Sequence, residues 1–535
     1  MSSEIKYKSI LISENMKGKG IKIGKGGFGK VYKVTKSNED GVKEIIPFVQ
    51  KQTNIFYENG NLIGQNLKEI SLGYKYLNDN ENVQEFNYVF VKKDKNINSS
   101  KYLINMKLAD MTFSNIIKSK LNKKERINLF FPFLIQIVKG VSYIDSNCIC
   151  HGDIKPENIL VYENGKVPTL KINDYSSVNI EYNVTMDKTS TLCYMSPELI
   201  CKDYPKNKKL IYTYGSHNDI WSIGIMMLEF LIKYNYISKL YNSKNIKKDD
   251  KENLISSFFN NMKSLDVKMI LKTNGYDITN ENVKKICKIL DMMLMKKIEE
   301  RINITELCIM LNIQNDVKKI NKTIEYKNDI NCKKIDIDIR KSAICDIENF
   351  FREECENTDI HYFPAGLVLF DRIYSKGYFE KSKICDIIKF YKIDKIDKIY
   401  KLVLFMCYYI SSKFLLCDID ISLFCVYLDI KEKCIKRCII DILEFINFDI
   451  YRPTILTYMN KENERYYTND MTKKAISIYC DSEVINTKFS NFVLITEQIL
   501  NKETEFGYDE LYNSSKSVYY NFDISIPILK RDFYK

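Results

Sequence analysis

Only three histidines occur in the 535 residues, His151, His217 and His361, and none of the 16 cysteines stands in a Cys-x-x-Cys pair. Zinc centres need thiolate and imidazole ligands at short spacing, and disulfide frameworks belong to short secreted chains. This usage therefore argues against both and for buried thiols in a reducing compartment. No run of twenty apolar residues is present, too little for a membrane-spanning helix, and the amino-terminal MSSEIKYKSI lacks the apolar core of a secretory signal. The expected address is cytoplasmic or nuclear. No arginine-rich run or aromatic-basic signature accompanies the net charge of +12, which arises from 81 Lys and Arg mixed among 69 Asp and Glu. Dedicated nucleic-acid binding is not expected from that pattern, whereas acidic substrates or a scattered positive face are compatible with it. What the chain does have is apolar material, 45% of its residues, enough for two or more domains with sizeable cores.

The densest chemistry lies in HGDIKPENIL at 151–160, followed by INDY at 172–175. Together these resemble the catalytic loop and metal-binding turn of a protein kinase. Phosphoryl transfer through a loose transition state asks a protein mainly to orient the acceptor hydroxyl and to neutralise phosphate charge. Asp153 suits the first task, and Lys155 suits neutralisation of the transferring group. A lysine at that place is usual in kinases acting on Ser or Thr. Asn158 and Asp174 then stand as metal ligands.

The remaining parts follow in the expected order. GKGGFGKV supplies Gly24, Gly26 and Gly29 after a short Ile-Lys-Ile strand, so that backbone N–H groups can close over phosphates without Cβ clashes. The expected ATP site comprises Ile23, Gly24, Lys25, Gly26, Gly27, Phe28, Gly29, Val31 and Leu160, with Lys51 on the α- and β-phosphates. Glu69, eighteen residues beyond Lys51, can reach back to it from a helix on which Leu67, Ile70 and Leu77 share a face. Farther on, TLCYMSPELI at 191–200 matches the end of a kinase activation segment, with Glu198 expected to pair with Arg301. Asp219 and Trp221 in NDIWSIG match a turn that hydrogen-bonds the catalytic loop from below. The resemblance implies a two-lobed α+β fold, a β-rich small lobe with an α-helical large lobe, using ATP and Mg²⁺ on protein substrates.

Within kinases, IGQNLKEISL at 63–72 is similar to the regulatory helix of the cyclin-dependent kinases, Pro-Ser-Thr-Ala-Ile-Arg-Glu-Ile-Ser-Leu, with Leu67 in place of the isoleucine buried in the cyclin. Thr191 and Leu192 before Tyr194 also follow that family. Three arginines that grip a phosphothreonine there are replaced by Lys68, Gly152 and Asn179, and the phosphorylated position reads Met186, beside Thr185. Without those forks a phosphate dianion is not held bidentately, so activity independent of activation-segment phosphorylation is expected. The inhibitory Thr-Tyr pair is replaced by Gly27 and Phe28. The metal-binding turn reads Asp174-Tyr175-Ser176 instead of Asp-Phe-Gly, which keeps an aromatic plug and loses a flexible glycine. Ser190, Cys193 and Met195 replace residues tied to proline-directed selection, leaving the substrate consensus open.

The expected organisation is an N-terminal segment at 1–14, a kinase domain at 15–312, a polar Lys/Asn-rich linker at 313–336, an all-α domain at 337–460 and an extension at 461–535. LVLFMCYYI at 402–410 is apolar all round, as in a helix buried inside a helical domain. LFDRIYSK at 369–376, KLVLFMCYYISSKFL at 401–415 and ILEFINFDIYRPTIL at 442–456 resemble the cyclin box. That resemblance makes Lys413 one half of the clamp by which cyclins grip the kinase, its glutamate partner being replaced near Ile439. The implied mechanism is intramolecular: a cyclin-like domain tethered by roughly 25 residues can reach the Glu69 helix at an effective concentration on the order of millimolar. Two other readings are a pseudokinase scaffold and a cyclin-type adaptor acting on a separate kinase.

Overall fold

The computed structural model describes residues 21–26, 29–34, 48–77, 79–147, 149–178, 191–200, 216–240, 248–262, 264–313, 350, 363–384, 386–387, 396–414 and 419–450. Gly27, Phe28, Asn179, Thr185, Met186, Ser190, the linker from 314 onward, the 451–456 part of the third cyclin-like stretch and the 461–535 extension lie outside them. The chain divides into two compact units: Met1–Asn59 with Gln65–Gln314, and Gly60–Gly64 with Asn315–Lys535.

The first unit opens with an antiparallel sheet in the order β1-β2-β3-β5-β4. Its strands are β1 (Ile21–Gly26), β2 (Gly29–Val34), β3 (Phe48–Asn54), β4 (Tyr88–Lys92) and β5 (Lys101–Lys107). In β5 the period-two set Tyr102, Ile104 and Met106 is buried, as a strand with one face on a core requires. Gly29 cannot be enlarged, because a Cβ there would stand 2.8 Å from the Gln52 carbonyl on β3. Between β3 and β4 runs α1 (Gly64–Ser71), which carries Glu69. Leu67, Ile70 and Leu77 are fully buried, yet the α-helix does not continue to Leu77: a π-helical turn, Leu72–Tyr76, intervenes. Leu77 is buried beyond that turn all the same, although the sequence spacing alone suggested an unbroken α-helix.

A second sheet, β6 (Met111–Thr112), β7 (Ile159–Tyr162) and β8 (Thr169–Ile172), is antiparallel in that order. Against it pack α2 (Phe113–Lys118) and α3 (Lys123–Ser146), followed in the chain by α4 (Pro197–Ile200), α5 (Ser216–Ile232), α6 (Lys248–Asn260), α7 (Val267–Thr273), α8 (Glu281–Met293) and α9 (Ile304–Met310). Asn122 and Glu125 cap α3 reciprocally, Glu125 N donating to Asn122 Oδ1 at 3.0 Å and Asn122 N to Glu125 Oε2 at 2.7 Å. By length and composition α3 is apolar enough to cross a membrane, but here it is a core helix whose Phe130, Phe133, Leu134, Ile137 and Val141 are buried. Asp219 and Trp221 lie in the first turns of α5, and both are buried.

The second unit is helical: α10 (Phe363–Ser375), α11 (Tyr378–Lys381), α12 (Ile396–Phe414), α13 (Ile421–Leu428) and α14 (Glu432–Phe445). Residues 402–410 of α12 are all buried, as an all-round apolar helix must be. Gly366 of α10 lets that helix approach closely, since a Cβ would fall 2.7 Å from Tyr408 Cα. Arg372, 2% exposed, donates to Asp449 Oδ2 at 3.0 Å. Tyr378 donates its hydroxyl to Asp441 Oδ2 at 2.9 Å. Gly60–Gly64 belongs to this unit, and inside it every polar atom of the Asn61 amide group is engaged. Asn61 Oδ1 accepts from the Tyr409 hydroxyl at 3.0 Å and Ile421 N at 2.8 Å, and Nδ2 donates to Asp420 Oδ2 at 3.1 Å. The Tyr409 oxygen also accepts from Leu62 N at 3.0 Å.

Candidate active site

Strand register explains how distant residues converge. Lys51 is central in β3, opposite Val31 of β2 and Ile104 of β5. Its ammonium meets Glu69 Oε1 from α1 and lies 3.9 Å from Asp174 Oδ1. The β7–β8 hairpin pairs Ile159 with Ile172, so the residues just outside each end, Asn158 and Asn173, are brought side by side. Asn173 N donates to Asn158 O at 2.9 Å, which fixes Asp174 next to the catalytic loop.

Within the loop, Asp153 is 7% exposed and heavily engaged. Lys155 Nζ lies 2.5 Å from Asp153 Oδ2 and 2.8 Å from Thr191 Oγ1. Thr191 donates to Asp153 Oδ1 from both its backbone N–H and its hydroxyl, each at 3.0 Å. Asn158 Nδ2 donates to the Asp153 carbonyl at 2.8 Å and to Oδ2 at 3.1 Å, which ties the Asn158 amide to the Asp153 carboxylate. The loop rests on Asp219, whose carboxylate accepts from Cys150 Sγ at 3.3 Å, His151 N at 2.8 Å and Gly152 N at 2.9 Å. Burial pushes the Asp219 carboxyl up, against the downward pull of His151 and these N–H groups. Gly152 has φ +76°, a left-handed backbone that glycine adopts without the Cβ penalty, so glycine suits this place.

Asp174 itself sits at φ +69°, a position aspartate tolerates better than most residues. Ser176 donates its hydroxyl to Asp174 Oδ1 at 2.7 Å, so the residue that replaces glycine in this turn orients the carboxylate. Burial alone would raise the Asp174 pKa, but Lys51 and the Ser176 hydroxyl outweigh it and hold the carboxyl below 3.8. For Lys51 burial pulls downward, while Glu69 and then Asp174 pull harder upward, keeping the ammonium charged. The Tyr175 ring is fully buried, and its hydroxyl lies 2.6 Å from the Gln84 carbonyl and 3.1 Å from that of Ile172.

Of the other expected residues, Gly24, Lys25 and Gly26 lie on β1 and Gly29 and Val31 on β2, whose register pairs Gly24 with Val31 and Gly26 with Gly29. Ile23 is 49% exposed on β1, and Leu160 is half-buried on β7. Glu198 and Arg301 form a buried bidentate pair at 2.8 and 2.9 Å, with the guanidinium 5.1 Å from the centre of the Trp221 ring. In the second unit Lys413 ends α12 with its ammonium 5.7 Å from the Tyr409 ring centre, while Ile439 is buried on α14. Sequence reasoning did not assign Ser176 or Tyr175 their hydrogen bonds, nor Asn61 any place. The only available signal for Ser176 was a hydroxyl two residues from a carboxylate.

The oxygen donors of Asp174 and Asn158, with the Lys51 ammonium, suit a hard divalent cation bound together with phosphate groups. Such a group would supply charge neutralisation at the phosphate oxygens.

Comparison with known proteins agrees with this arrangement. The chain is 27% identical over 258 residues to the probable serine/threonine-protein kinase yakA of Dictyostelium discoideum, covering 46% of this chain and 16% of the relative. It is 30% identical over 215 residues to the Aurora kinase of Yarrowia lipolytica, covering 40% and 51% respectively. Over 100 residues, 19% of this chain, it is 35% identical to cyclin-dependent kinase-like 2 of Rattus norvegicus, covering 18% of that protein. The chain thus spans about half or less of the length of the curated relatives it matches. The family model described as protein kinase domain matches residues 18–311, more than half of the chain and the whole of the cleft just described, and the chain therefore belongs to the protein kinase family.

Proposed function

We propose that the chain transfers the γ-phosphoryl group of Mg·ATP to Ser or Thr hydroxyls of proteins, and that its helical unit is a cyclin-like activator acting in cis. The proposed domains are a kinase at 15–312 and a cyclin-like domain at 337–460. The observation that carries the first part is the convergence of Lys51, Glu69, the loop residues Asp153 and Asn158, and Asp174 from four separate places in the sequence. In this reading Asp153 orients the acceptor hydroxyl, Lys155 balances charge on the transferring group, and Lys51 clasps the α- and β-phosphates. Asn158 and Asp174 would hold Mg²⁺. Thr191, hydrogen-bonded to both Asp153 and Lys155, keeps that pair in register.

The regulatory part is supported by the second unit itself. Gly60–Gly64 runs directly into α1, and the helical unit claims this segment through Asn61 and Leu62. The buried Arg372 and the buried 402–410 run of α12 fall in the stretches that resemble a cyclin box.

Purified chain supplied with Mg²⁺ and labelled ATP, a mixture of generic protein acceptors and phosphoamino-acid analysis tests the transfer. Phosphoserine and phosphothreonine are the expected products. Label on tyrosine alone would overturn the specificity.

A further inference from the structure

Next to Glu69 on α1, Lys68 is a long cationic side chain only 2% exposed, and the cleft as described gives it no task. Its ammonium donates to the backbone carbonyl of Val178 at 2.9 Å, across 110 residues of sequence. Val178 is itself fully buried and follows the turn Tyr175–Ser177, four residues past Asp174. Two neighbouring side chains of one helical turn therefore point to two different anchors: Glu69 to Lys51 on β3, and Lys68 to the chain leaving the metal-binding turn.

We infer that Lys68 is a positioning residue that couples the Glu69 helix to the metal-binding turn through the Val178 carbonyl, assembling the charged cleft without a phosphate on the activation segment. The inference rests on the reading of the cleft as a phosphoryl-transfer site. A buried ammonium strongly disfavours any arrangement that leaves it without acceptors. Moving α1 away would break the Lys68 bond and the Lys51–Glu69 pair together, so the two contacts reinforce one position of the helix. The bond goes to a backbone carbonyl, which is present whatever the modification state of the chain. At the Asp174 end the turn is held by the Ser176 hydroxyl on Asp174 and by the buried Tyr175, so that a shift at Val178 is transmitted to the carboxylate.

The test uses the full chain as wild type, Lys68→Met and Lys68→Arg, with steady-state transfer to a peptide acceptor and an unfolding midpoint for each. Lys68→Met, which keeps the length of the side chain and removes its charge, is expected to lose roughly 10- to 100-fold in kcat, with the peptide KM within about two-fold. Lys68→Arg, still able to donate to the same carbonyl, is expected to restore kcat to within a few-fold of wild type. Wild type stripped by a broad-specificity phosphatase, with the phosphatase then removed, is expected to retain its rate. Wild-type kcat in a folded Lys68→Met, or loss of activity on phosphatase treatment, would overturn the inference, and the phosphatase arm decides even where Lys68→Met fails to fold. Absence of transfer by wild type would overturn the kinase reading, and the role of Lys68 with it. Transfer by wild type with no effect of Lys68→Met overturns the positioning role alone.

Discussion

The cleft of the first unit and the Asn61 node of the second are both buried polar networks, built to opposite specifications. Around Asn61 both polar atoms of the amide are engaged inside the unit, by Tyr409, Ile421 and Asp420. In the cleft the network stays open: the Asp174 side chain remains 33% exposed, while Asn158 spends its nitrogen on Asp153. A closed network can only hold a segment in place. An open one, kept charged by its neighbours, has capacity left for a ligand. In the proposed reading, that difference separates a structural fastening from a reaction site.

The comparison can be broken most forcefully at a closed charge pair. Glu198→Ala would strand the Arg301 guanidinium in a buried place, and a loss of about 3–5 kcal/mol is expected, read by urea unfolding of the full chain. A loss below about 1 kcal/mol would show that water reaches Arg301. Tyr409→Phe is expected to cost about 1–3 kcal/mol, because Leu62 N and Asn61 Oδ1 each lose a partner in a buried setting. If the helical unit activates in cis, the same variant also lowers kcat, and an unchanged kcat would detach the fastening from activity. Tyr175→Phe removes the hydroxyl at the Gln84 carbonyl and is expected to cost about 1 kcal/mol with transfer largely retained.

The smallest expected effect is one of pH. A group with a raised pKa keeps its contribution below its ordinary value and loses it as pH climbs through the raised one. For Lys51 that loss falls above 10.5. For Asp174, held below 3.8, the contribution is present above 3.8 and is lost only as pH falls through the lowered value. Fluorescent-nucleotide affinity should therefore be flat from pH 6 to about 9 as far as these two groups are concerned. A step in that window that disappears in Lys51→Arg would contradict the assignment.

How much was readable beforehand follows the same division. Asp153, Asn158, Asp174, Lys51 and Glu69 were singled out through the ordered kinase motifs, because in the proposed reading Lys51, Asn158 and Asp174 serve one metal-bound triphosphate, Glu69 holds Lys51 and Asp153 faces the acceptor, which constrains residue type and spacing together. Glu198 with Arg301 was expected only through the resemblance of TLCYMSPELI to the end of a kinase activation segment, and the structure shows the pair buried and bidentate. The Tyr175 hydroxyl bond to Gln84 spans 91 residues and leaves no local trace, because tyrosine and phenylalanine fill the same apolar place. The π-helical turn after Ser71 was hidden by an apolar spacing that fits a plain helix equally well. In the second unit the burial of 402–410 was plain from composition, yet apolar packing is degenerate, and the assignment of Gly60–Gly64 to that unit could not be read from a segment so short.

The most direct test of the central claim compares wild type and Asp174→Asn for Mg²⁺-dependent nucleotide affinity and for transfer from ATP to a protein acceptor. The account predicts that the variant folds, loses the Mg²⁺ dependence of binding and drops roughly 1,000-fold or more in kcat. A folded Asp174→Asn that binds Mg·ATP and transfers phosphate at the wild-type rate would contradict it.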